Sequence, residues 1–122
     1  MKVLDRVLGF LMIVSALLHC AGSFAAYKDQ PMAMLWAVSG GLAELLLAGL
    51  NLLRAGRPHD RPLASVTLAG NVAWLVLIAV FGELIHNLLD FRAIVQAVIT
   101  IALIAMSIRT LLARNKLIAG AS

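Results

Sequence analysis

The chain has 122 residues, 62% of them hydrophobic and only 13% charged. A soluble domain carries about a quarter charged residues, so this composition excludes an ordinary water-soluble globule. The net charge of +4 comes without a basic stripe interleaved with aromatics, which argues against nucleic acid as a partner. The lone cysteine, Cys20, excludes an internal disulfide.

In chain order, Lys2 and Arg6 precede an apolar run that predicts a first membrane span over 7–26. The same pattern imitates a signal peptide, with Ser23-Phe24-Ala25 as a weak cleavage site, but the run is long enough to be retained as a span. His19 before Cys20 departs from a lipoprotein site. Next come Asp29, a candidate N-cap, and Pro31, in a first-turn position that tolerates proline. They open a second span predicted over 32–53.

The connector from Arg54 to Pro62 holds a glycine and two prolines and must break the helix. Asp60 is the expected cap of a third span over 63–85. His86-Asn87-Leu88-Leu89-Asp90 has neither Gly nor Pro, and Asp90 is placed to cap a fourth span over 91–113. The remaining tail reads as frayed. Connectors this short make sequential spans antiparallel neighbours. The fold class expected is therefore all-α, an integral membrane antiparallel four-helix bundle forming one domain.

Charge sets the orientation. Lys2 and Arg6, then Arg54, Arg57 and Arg61, then Arg109, Arg114 and Lys116 lie on one side of the spans, eight of the ten basic residues. Cationic residues near span ends resist translocation, so both termini are expected in the cytoplasm and the chain in a bacterial inner membrane, among membrane lipids. Tyr27 and Trp36 suit the opposite interface.

Polar residues within the spans fall at three- and four-residue spacing, which gathers each set on one helix face. Gly9, Met12, Ser15 or Ala16, His19 and Gly22 form the first set. The second is Ala37, Gly41, Glu44, Ala48 and Asn51. The third is Thr67, Asn71, Trp74, Gly82 and His86. The fourth is Ala93, Gln96, Thr100, Leu103, Ser107 and Thr110. Small residues allow close approach, and buried amides and hydroxyls are expected to bond across the contacts.

Glu44 stands apart because it sits near the middle of its span, where an ionised carboxylate costs several kcal/mol unless partnered and where acids usually mark a proton or substrate path. His19 falls at a similar depth, so a facing His–Glu pair is expected inside the bundle. Glu44, His19, Asn71, Gln96 and Trp74 are the candidate ligand-binding residues; Trp74 is weighed between packing and stacking on a quinone. Glu83 and His86 have the i, i+3 spacing of helical metal ligands. A mononuclear metal site of His19, Glu83 and His86 is the lesser alternative to a polar outer rim.

Arg6-Val7-Leu8-Gly9-Phe10, His19 and the run Gly41-Leu42-Ala43-Glu44-Leu45-Leu46-Leu47-Ala48-Gly49-Leu50 resemble the DoxX-like superfamily of small four-helix membrane proteins, which often shows an early arginine and glycine and a Gly-x-x-Glu core in the second helix. The resemblance covers about the first 55 residues. It implies a redox- or quinone-linked setting.

No catalytic constellation is legible. Ser15 and His19 share a face, but Cys20 points elsewhere and no oxyanion donor can be read. The expected function is therefore non-enzymatic, either an accessory subunit of a larger membrane complex or homo-oligomer, or a bundle that binds a lipophilic molecule such as a quinone or lipid. The alternative is a small proton-coupled exporter using Glu44. Such multidrug exporters also have four short helices, but they carry their essential acid in the first.

Overall fold

The computed structural model describes residues 1–121, with the side chains of 114–118 and 121 outside the description. Four helices follow one another, α1 (Lys2–Ala26), α2 (Pro31–Gly56), α3 (Arg61–Leu84) and α4 (Phe91–Ala121). The shortest has 24 residues, about 36 Å at about 1.5 Å per residue, against a hydrocarbon core of about 30 Å. All four are long and apolar enough to cross a membrane. The charges of Arg114 and Lys116 lie outside the described side chains.

The helix ends follow local chemistry. Asp60 caps α3 by accepting from the Leu63 amide at 3.0 Å, and Asp90 caps α4 by accepting from the Arg92 amide at 3.0 Å. The Arg92 guanidinium also bonds Asp90, which holds that half-buried carboxyl below the usual carboxylate range. Asp29 does not cap α2. Pro31 takes the first helical position, so Gln30 becomes the N-cap and gives no side-chain cap bond.

The connector without Gly or Pro ends α3 by another device. His86 adopts a left-handed φ of 53°, and the amides of His86 and Asn87 return to the carbonyls of Glu83 and Gly82 at 3.0 Å each. This is a Schellman closure with histidine where glycine is usual. Gly82 serves the same turn, since a Cβ there would lie 3.1 Å from Leu88 Cδ2 and 3.3 Å from its Cα.

Three helix bounds differ from expectation by three residues or more. α1 begins at Lys2, so Asp5 and Arg6 are helical. α2 continues through Gly56 and carries Arg54 in its last turn instead of releasing it to the connector. The backbone of α4 stays helical to Ala121, where a frayed tail was expected.

α1 packs most extensively on α2, and α3 on α4; the α1–α4 and α2–α3 seams between these two hairpins are lighter. Met12, Leu47, Ala48 and Leu103 form an apolar cluster at the centre, with Trp74 packed against it. Around it the distribution is inverted relative to a soluble domain. Glu44, Asn51, Arg54, Thr67, Asn71, Thr100 and Ser107 are all buried, while Phe10, Leu18, Trp36, Leu46 and Val98 are exposed. Many buried hydroxyls bond within their own helix rather than across a contact. Thr67 donates to the Leu63 carbonyl, Thr100 to Gln96 and Ser107 to Leu103. The cross-helix bonds come instead from Gln96, the Asn51–Asn71 pair, Arg54 and His19.

Candidate functional site

Glu44 is 1% exposed and lies on the inward face of α2 between Gly41 and Ala48, which are also buried. From α4, Gln96 Nε2 reaches across to donate to Glu44 Oε2 at 3.2 Å and to Ser15 Oγ of α1 at 3.0 Å. Ser15 stands beside the same carboxyl. Three helices thus meet at Glu44, and the Gln96 bonds cross the seam between the hairpins. The sequence spacing placed all three residues on inward faces, and the structure brings them together.

Trp74 faces the core from α3. Its ring packs on the cluster containing Leu47 and Ala48, which follow Glu44 by three and four residues. Its Nε1 is buried and has no hydrogen-bond partner. A buried donor left without an acceptor costs about 1–3 kcal/mol. The bundle interior therefore holds a carboxyl, a carboxamide and a hydroxyl gathered at Glu44, and on α3 one unsatisfied indole N–H whose ring packs on the apolar cluster. That combination suits the polar head of a hydrophobic molecule.

His19 is a correction. It remains an electrostatic neighbour of Glu44 but is exposed, lying across α2 rather than between the helices. Its Nε2 donates to the Ala37 carbonyl at 3.0 Å. The ring fits there because α2 offers Gly40 and Gly41; a Cβ on Gly41 would lie 3.3 Å from His19 Cδ2 and would also collide with Cys20 Sγ. With Nε2 committed to a carbonyl and Ser15 Oγ accepting from Gln96, no Ser15–His19 bond forms among the described residues.

Asn71 is engaged within the protein. Asn51 and Asn71 exchange two amide bonds of 3.0 Å, each Nδ2 donating to the other Oδ1, and both are fully buried. They pin α2 to α3 across the second seam. Glu83 and His86 are exposed at the end of α3. Among the described residues, no three His, Cys, Asp or Glu side chains converge as a metal site, so His19, Glu83 and His86 are not brought together.

A second polar centre was missed by sequence reasoning. Arg54 is 1% exposed, and its guanidinium clasps Asp5 through two bonds, Nη1 to Oδ2 at 3.0 Å and a shorter one from Nη2 to Oδ1. Nη1 also donates to Thr110 Oγ1 at 3.3 Å. The pair ties α1, α2 and α4 at the basic end. The clue available was periodicity, since Arg54 follows Glu44 by ten residues and Asn51 by three, continuing one face past the predicted end of the span.

No family model, curated protein or solved structure matches the chain.

Proposed function

We propose that the chain is a multi-pass protein of the bacterial inner membrane, both termini cytoplasmic, that binds a lipophilic molecule with a hydrogen-bonding head, a quinone or a lipid, and acts as an accessory or carrier bundle without catalysing a reaction. The inverted distribution of polar and apolar side chains supports the membrane setting, and the basic residues at one end support the orientation. The observation that carries the binding reading is the polar cluster of Glu44, Gln96 and Ser15 inside an otherwise apolar bundle, which also holds a buried, partnerless Trp74 N–H on α3. A ligand carbonyl would accept from Trp74 while its apolar remainder leaves through the lighter seam to the acyl chains. The resemblance to the DoxX-like superfamily favours a quinone.

Quantifying quinones and lipids that co-purify in mild detergent tests this. Trp74→Phe keeps the ring and removes the donor, and is expected to lower retention about fivefold, the worth of one hydrogen bond of about 1 kcal/mol. Glu44→Leu should lower it further. Unchanged retention in both variants removes the site. A stoichiometric companion protein would add an accessory role.

The second reading is proton-coupled export. It is favoured by one alignment: Glu44, Asn51 and Arg54 run from the middle of α2 to its basic end on one buried face. Vesicle transport under an imposed pH gradient decides it, and no substrate movement in either direction of gradient eliminates it.

A further inference from the structure

At the basic end, α1, the end of α2 and α4 enclose a cleft of about 160 Å³. Its lining divides into two kinds. Lys2, Arg54 and Arg109 supply three cations, and Asp5 supplies one anion already held by Arg54. Met106 and Ala113 contribute an apolar wall. Arg54 retains a buried Nε with no partner in the protein, while Lys2 and Arg109 are exposed at the mouth of the cleft.

We propose that this cleft binds a phosphate anion presented by the headgroup of an anionic glycerophospholipid. The proposal rests on the reading above that the chain spans a membrane, which puts this end at a headgroup layer. Two exposed cations over a neutralised ion pair leave a net positive mouth. Basic pockets between helices on the cytoplasmic side are where anionic headgroups are held. The apolar wall distinguishes a phospholipid from the free ion, because the glycerol and first acyl methylenes need a surface that phosphate alone does not use. The site is separate from Glu44, which lies ten residues back along α2.

The test is native mass spectrometry of the full chain in mild detergent with phosphatidylglycerol or phosphatidylcholine. Wild type is expected to retain phosphatidylglycerol selectively. Lys2→Gln with Arg109→Gln should reduce that retention about thirtyfold, from about 1 kcal/mol per lost cation. Arg57→Gln with Arg61→Gln removes as much charge from exposed positions outside the cleft and is expected to change little. Equal losses in the two double variants, or full retention in the first, overturn the site. Binding of inorganic phosphate with no retention of phosphatidylglycerol overturns the lipid assignment. Flotation with vesicles separates the underlying reading: a chain that fails to float defeats membrane insertion, whereas one that floats but shows no selectivity defeats only the cleft.

Discussion

Arg54 at the end of α2 is held by Asp5 in the first turns of α1, forty-nine residues earlier, in an ion pair whose arginine side chain is 0% exposed. Breaking one partner of a buried pair leaves an uncompensated charge, which costs about 3–5 kcal/mol. Asp5→Asn and Arg54→Met are each expected to destabilise the bundle by about that amount. Asp5→Asn combined with Arg54→Met should cost much less than their sum. Unfolding in mixed micelles, arranged as a double-mutant cycle, measures the difference.

The reciprocal amides of Asn51 and Asn71 give a milder outcome. Interhelical hydrogen bonds in membranes average about 0.6 kcal/mol, so Asn71→Leu is expected to cost about 1–2 kcal/mol because it also strands Asn51. The double Leu variant should recover part of that loss. Co-purified quinone or lipid should stay near the wild-type level in both variants, since the two amides are paired with each other.

Gly41 lets α1 and α2 approach each other. Gly41→Ala should cost about 1–3 kcal/mol by overpacking against Cys20, and Cys20→Ala should remove most of the penalty. Gly49→Ala is the control, because a Cβ there meets nothing within 4 Å. Thermal unfolding midpoints of the four proteins are sufficient.

At His86 a left-handed backbone is occupied by a residue that gains little from it. His86→Gly is expected to stabilise the α3–α4 turn by about 0.5–1 kcal/mol, and His86→Val to destabilise it by about 1–2 kcal/mol. Unchanged ligand retention in His86→Gly would agree with a turn residue rather than a ligand.

Four helices, their order and the caps at Asp60 and Asp90 were legible because membrane spans and capping carboxylates leave local signals. The inward placement of Glu44, Asn51, Asn71, Thr100 and Ser107 was legible as well, since each obeys helical periodicity on its own segment. What escaped depends on how two helices meet. His19 has the right spacing but lies over Gly40 and Gly41, because two adjacent glycines open the face of α2 to its ring. Arg54 was assigned to the connector because charge normally ends a span. Only the position of Asp5 on another helix reveals that the charge is matched and can be buried. Trp74 was found by its depth, but the missing partner of its indole is a property of packing alone.

The most direct measurement is a titration of Trp74 fluorescence with a short-chain ubiquinone in nanodiscs, using a Trp36→Phe background in which Trp74 is the single tryptophan. Saturable quenching is expected, with the midpoint raised on the order of tenfold by Glu44→Leu while the unfolding midpoint shows an intact bundle. Quenching that never saturates, or an identical midpoint in the Glu44→Leu protein, would contradict a ligand head bound between the two hairpins.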